Sequence, residues 1–155
     1  MDLNPQVTAG SNGAAATILV IGPLDSRRRA LRNILTPPQW EVREAATYGE
    51  AIAILDDRSI EVAICDTEIE DGNWQVLLAN LQSRANPPNL IVSSRLADER
   101  LWAEVLNLGG YDVLVQPFDS REVLRVARMA RMARSLGCQS QMAETHAHTV
   151  LAAAG

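Results

Sequence analysis

Four short runs built wholly from apolar residues punctuate this chain: Ile18-Leu19-Val20-Ile21, Val62-Ala63-Ile64-Cys65, Leu90-Ile91-Val92 and Val113-Leu114-Val115. A strand that is apolar on both sides must be buried on both sides, the condition of a parallel sheet covered by helices above and below. The segments between the runs carry helical spacing. Asp25-Ser26 can cap a helix with Ala30, Leu31, Ile34 and Leu35 inward, stopped at Pro37-Pro38. Trp40, Val42 and Glu44 start an alternating and more exposed strand. Thr47 and Glu50 form a capping box ahead of Ala51, Ile52 and Leu55. Trp74, Leu77, Leu78 and Leu81 precede a stop at Asn86-Pro87-Pro88; Leu101, Val105, Leu106 and Leu108 precede Gly109-Gly110. A last helix starts at Asp119-Ser120-Arg121-Glu122 and ends at Gly137.

Five strand–helix units in 155 residues predict one α/β domain. Residues 1–17, rich in Gly, Ala, Ser and Asn, read as a flexible leader; residues 138–155 read as a tail, disordered or a short helix, leaving 18–137 as the domain. The net charge of −5 argues against general nucleic-acid binding. No apolar stretch is long enough to span a membrane, and the start lacks a secretory signal, so a cytoplasmic protein is expected. Cys65 and Cys138 are too few for a disulfide framework, and Cys65, within an apolar run, reads as a small buried hydrophobe. All 14 basic residues are Arg. Chemistry that needs a Lys ammonium is therefore excluded within this chain.

In open α/β sheets ligands collect at the carboxyl ends of the strands. Here that rule selects Gly22-Pro23, Asp66, Ser93-Ser94 and Gln116-Pro117. The stretch from Val62 to Gly72, with Asp66 ending its strand, resembles the phospho-acceptor strand and loop of the response regulator receiver (CheY-like) family. The stretch from Leu108 to Phe118 is similar to that family's fifth strand and Pro-Phe step. The resemblance runs from about Ile18 to Leu136. It implies a flavodoxin-like three-layer α/β/α sandwich with a five-stranded parallel sheet of order 2-1-3-4-5. It also implies Asp66 as phospho-acceptor, Ser93, Gln116 and Pro117 beside the phosphate, and a cis peptide before Pro117.

The resemblance further implies Mg2+ held by an acidic pair after the first strand, a hydroxyl after the fourth and a Lys before the proline. The acidic-pair positions are Gly22 and Pro23, which have no carboxylate, and the Lys position is Gln116. Unit charges about 4 Å apart interact by roughly 4 kcal/mol at an effective dielectric near 20. Weak Mg2+ binding is therefore expected, with Asp66 and Glu68 as its ligands and Asp25 or Glu70 as substitutes, Asp25 reading first as a helix cap. The aromatic switch position falls on Val113, beside Tyr111 and Asp112, and Glu70 replaces a common Pro, which predicts a looser loop.

Arg121, Arg125, Arg128, Arg131 and Arg134 recur at helical spacing on the last helix. They read as a solvated stripe or a partner surface, with Arg121, Arg125 and Arg128 as the candidate contacts. Met129 and Met132 read as packing, and Trp40, Trp74 and Trp102 as packing or partly exposed anchors. His146 and His148 are a poor metal signal. With one Gly after the first strand and both His in the tail, neither a phosphate loop nor a Ser-His-Asp set is evident, so an enzyme is not expected. What the resemblance implies is a receiver in a two-component phosphorelay, given phosphate by a histidine kinase or phosphotransferase and acting on a downstream protein target. A homodimer through the fifth strand and last helix fits the same surface. The alternative is a pseudo-receiver that takes no phosphate and serves as a dimerisation or partner-binding module.

Overall fold

The computed structural model describes residues 15–136. They form β1 (Ala16–Ile21), α1 (Ser26–Ile34), β2 (Trp40–Ala45), α2 (Tyr48–Asp57), β3 (Val62–Asp66), α3 (Trp74–Gln82), β4 (Asn89–Ser94), α4 (Glu99–Leu108), β5 (Asp112–Val115) and α5 (Ser120–Leu136). All strand pairs are parallel and the order is β2-β1-β3-β4-β5, as the resemblance implied.

The period-two alternation of strands divides the core into two layers. Ile18, Val20, Val62, Ile64 and Ile91 face α1 and α5, where they meet Leu31, Leu35, Val123, Val126, Ala127 and Ala130. Leu19, Ile21, Ala63, Cys65, Leu90 and Val92 face α2, α3 and α4, where they meet Ala51, Leu55, Leu77, Leu81 and Val105. Small Ala residues at the α5 contact let that helix lie close to the sheet.

Polar caps start the helices as their sequences require. Asp25 accepts from the Arg27 amide, Thr47 from Glu50, Asn73 from Val76 and Asp98 from Leu101. Glu50 Oε1 accepts from the Ala46 amide at 2.7 Å, one residue before the cap. Gly109 closes α4 with φ 104°, where a Cβ would collide with the Gln82 side chain. Gln116–Pro117 is cis, as the resemblance implied, and so is Pro37–Pro38.

Several expectations are corrected. β1 starts at Ala16, inside the stretch read as leader, because Ala16 and Thr17 pair with Trp40 and Glu41 of β2. Leu108 is 47% exposed: it is the last residue of α4, where the chain turns through Gly109, and Val105 and Leu106 carry the packing. Met129 and Met132 are exposed rather than packed, since Val126, Ala127, Ala130 and Ala133 fill the inward stripe of α5. Trp40 and Trp74 are buried. Cys138, His146, His148 and the rest of the tail lie outside the described residues, as does most of the leader. Among the described residues no helix is long and apolar enough to cross a membrane.

Candidate functional site

The carboxyl ends of β1, β3, β4 and β5 meet at Asp66. Its side chain ends a strand whose five residues are all buried, and Asp66 itself is only 5% exposed. A buried carboxylate is costly unless its oxygens are bonded. Here they are. Oδ1 accepts from the Glu68 amide at 2.8 Å, and Oδ2 accepts from Gln116 Nε2 at 2.8 Å. Oδ2 also lies 3.3 Å from Arg27 Nη1.

Gln116, likewise 5% exposed, is placed by its own backbone, whose amide donates to the Ser94 carbonyl at 2.9 Å. Its Nε2 lies 3.3 Å from Ser93 Oγ, so one amide group bridges β3, β4 and β5. Gln116 Oε1 is buried with no partner. Ser94 Oγ is occupied by the Leu96 amide at 3.0 Å, which leaves Ser93 as the hydroxyl beside Asp66. The structure thus brings together Asp66, Ser93 and Gln116 as the sequence suggested.

Arg27 is the residue that sequence reasoning missed. It sits in the first turn of α1, where its Nη2 lies 2.6 Å from Asp25 Oδ2 and its Nη1 lies 3.3 Å from both Asp66 Oδ2 and Glu68 Oε1. The hydrogen bonds to Asp25 raise the Arg27 pKa above its ordinary value against the opposing effect of burial, and the nearby Asp66 charge adds to the rise. Reciprocally, the Arg27 hydrogen bond holds the Asp25 carboxyl below its usual range. Asp25 is therefore a cap and an anchor for a guanidinium. Arg95 Nη2 reaches Glu68 Oε2 at 3.6 Å. Arg27, Asp66, Thr67, Glu68, Ser94 and Gln116 border a cavity of about 360 Å3.

These residues do not fit a resident Mg2+. Gly22 and Pro23 supply no carboxylate, and a Cβ on Gly22 would stand 3.1 Å from the Asp66 Cβ, so any larger residue there would need the Asp66 side chain to shift by a few tenths of an ångström. The two expected ligands, Asp66 and Glu68, both face the Arg27 guanidinium. Among the described residues no group of three or more His, Cys, Asp or Glu side chains is arranged to hold a metal.

The loop after β3 is anchored although it lacks the Pro. Asp71 Oδ1 accepts from the Tyr48 amide at 2.7 Å and the Glu70 carbonyl from the same amide at 3.3 Å, tying the loop to α2. At the switch position, Val113 is half-buried, while Trp102 Nε1 donates to Asp112 Oδ1 at 3.0 Å and joins α4 to β5. Burial, and then the Asp66 charge, push the Cys65 thiol far up, so it remains a neutral core group.

The five arginines of α5 do not form one stripe. Arg121, Arg125 and Arg128 are exposed, with Arg125 on Glu122 at 2.9 Å. Arg131 reaches Glu61 at 3.1 Å, and Arg134 donates to the carbonyls of Pro87 and Asn86. Repeated steps of three residues fall short of a full turn, so the row winds from solvent onto the body of the domain.

An acidic residue at the end of the central strand, a hydroxyl on the next strand and a cis proline after the fifth define a receiver-type site. The model of the response regulator receiver domain family matches residues 18–128, and the chain belongs to that family. It is 25% identical over 113 residues to the regulatory protein VirG of Rhizobium rhizogenes, covering 73% of this chain and 47% of that protein. It is 25% identical over 135 residues to the transcriptional regulatory protein SrrA of Staphylococcus aureus, covering 86% and 55%. The chain spans about half the length of these curated relatives. Among solved structures it resembles a CheY-like receiver domain protein of Methanospirillum hungatei, with TM-score 0.70, 21% identity, and 79% of this chain and 98% of the other covered. It also resembles the chemotaxis response regulator CheY4 of Vibrio cholerae, with TM-score 0.67, 20% identity, and 75% and 98% covered. At those identities the structures support the fold. The chain is a response regulator receiver domain of the two-component type.

Proposed function

We propose that this receiver domain works as a pseudo-receiver: it signals by protein contact, and Asp66 takes no phosphate in a Mg2+-dependent reaction. One observation carries the reading. Both oxygens of Asp66 are already engaged by groups of the chain itself, with Glu68 N on Oδ1 and Gln116 Nε2 and Arg27 Nη1 on Oδ2. Phosphoryl transfer depends on positioning and on charge neutralisation over the phosphoryl oxygens. A carboxylate whose oxygens are held by charged and amide donors is a weaker nucleophile, and the neutral amide of Gln116 does not supply the positive charge that a Lys there would bring to the incoming group.

Receiver domains of two-component systems meet histidine kinases and downstream effectors. For this chain the contact surface proposed is the exposed face of α5 with Arg121, Arg125 and Arg128. Its occupants are a downstream protein or a second copy of the chain. The phosphorelay reading keeps one observation of its own, since the cavity beside Asp66 has room for a phosphoryl group.

Intact mass after incubation with acetyl phosphate and Mg2+, with Asp66→Ala as the control, separates the two. The expected result is no phosphoryl-sized gain in either protein. A gain that needs both Asp66 and Mg2+ overturns the pseudo-receiver reading in favour of a working phosphorelay receiver fed by a kinase or phosphotransferase.

A further inference from the structure

We propose that Arg27 is a tethered internal cation that closes the Asp66 site to divalent metal ions, and that removing its guanidinium opens a cation site formed by Asp25, Asp66 and Glu68. The inference rests on the reading of Asp66 as a carboxylate already satisfied within the chain, and it supplies the reason.

Three carboxylates come to Arg27 from three places in the fold: the cap of α1, the end of β3 and the loop after it. Carboxylates converging from separate elements repel one another unless a positive charge lies between them. Here that charge is covalently attached to α1. Because the positive charge belongs to the chain, it does not depend on ion concentration. The guanidinium keeps Asp66 and Glu68 at 3.3 Å from Nη1 and Asp25 at 2.6 Å from Nη2, a looser and more spread arrangement than the shell of about 2.3–2.6 Å that oxygen ligands form around one Ca2+. That spread accounts for the lack of a metal-ready cluster while Arg27 is in place.

A second feature bears on the same cavity. Gln116 borders the same cavity, is almost wholly buried, and its Oε1 has no partner. That carbonyl oxygen is left without a donor by the guanidinium, and an oxygen of this kind suits a hard cation. Glu68 is exposed and Asp25 half-exposed, so both side chains are able to close inward once the guanidinium is gone.

The test is calorimetric titration of the full chain with Ca2+ and, separately, Mg2+. The proteins are wild type, Arg27→Ala, Arg27→Met and Arg27→Lys. Wild type and Arg27→Lys, which keep a positive charge, are expected to take up no ion. Arg27→Ala and Arg27→Met are expected to bind Ca2+ at least about tenfold more tightly than wild type, with Mg2+ behind it because its shell is less tolerant. Adding Glu68→Gln to Arg27→Ala should reverse the gain. Arg27→Met, which keeps the length of the side chain, replaces Arg27→Ala if circular dichroism shows the latter unfolded. Wild type binding as tightly as the variants overturns the proposal, and so does a folded Arg27→Met that binds neither ion. The two readings fail distinguishably: Mg2+-dependent phosphorylation of wild type overturns both, whereas ion uptake by wild type without phosphorylation, or a folded Arg27→Met that binds neither ion, overturns this inference alone.

Discussion

Asp66 depends on its neighbours because a buried carboxylate has nothing else to replace water. Gln116 supplies the shortest side-chain donor to it, at 2.8 Å, and also approaches Ser93. Substituting Gln116→Leu removes that donor while keeping the bulk, so urea unfolding at neutral pH should show a loss of about 1–3 kcal/mol. An unchanged midpoint would mean that Arg27 and the Glu68 amide suffice. The Asp25–Arg27 pair sets a pH dependence. The folded pKa of Asp25 is depressed, so its contribution is fully present above the unfolded value of about 3.9 and is lost as the pH falls through the folded value. Asp25→Asn keeps a capping side chain and drops the charge. The stability gap between wild type and Asp25→Asn should be constant above about pH 5 and shrink toward zero in acid, measured by urea unfolding across the range. A gap that persists undiminished in acid would show that the charge is not its source. Asp66 was legible in the sequence because a single acid ended an otherwise apolar strand. Arg27 was not, because an Arg in the first turn of a helix ordinarily faces water, and its partner Glu68 lies 41 residues away. The only hint was charge: Arg27, Arg28 and Arg29 follow the Asp25 cap, and an acidic loop follows Asp66.

Elements obey the same distinction between pattern and partner. The succession of strands and helices along the chain followed from apolar periodicity, since burial on one or both faces is written in which residues are apolar, while the order of strands within the sheet came from the family resemblance. The ends of elements were less visible. Ala16 belongs to β1 through its pairing with Trp40, a contact that no local pattern encodes. The arginines of α5 looked alike by spacing, yet their surroundings differ. Arg134 donates to the Pro87 and Asn86 carbonyls, which joins α5 to the turn before β4, while Arg128 is exposed. Asn86 there adopts φ 58°, a left-handed conformation that Asn tolerates, so the turn is one where outside support matters. Arg134→Ala should lower the unfolding free energy by about 0.5–1.5 kcal/mol per bond lost, whereas Arg128→Ala should stay within about 0.5 kcal/mol of wild type. Equal effects in thermal or urea unfolding would show that the clamp contributes nothing beyond a surface charge.

For the whole molecule, the question is how a receiver domain with its acceptor tied internally transmits anything. The sheet is covered on both faces and its acceptor end is braced by Gln116 and Arg27, so the proposed information-bearing surface is the outside of the last helix. That face combines Arg121, Arg125 and Arg128 with the exposed Met129 and Met132. Apolar groups rimmed by charge mark contact surfaces more than solvated ones, and a basic patch suits a partner surface that carries acids. A dimer with two-fold symmetry buries the same patch twice, so each arginine must find an acid across the axis; Glu122, beside Arg125, is a candidate on the same helix. Charge reversal of all three arginines to Glu turns those attractions into repulsions without touching the core. Sedimentation equilibrium should then show dimer association weakened by at least about tenfold, with wild-type association itself falling as salt rises, since exposed charges are screened within about 8–10 Å at ordinary ionic strength. Folding stability should be unchanged to within about 0.5 kcal/mol, because these positions are exposed. A wild-type chain that stays monomeric at every concentration removes the second copy as an occupant and leaves the patch to a different, acidic protein. A dimer indifferent to the reversal places the contact elsewhere on the domain.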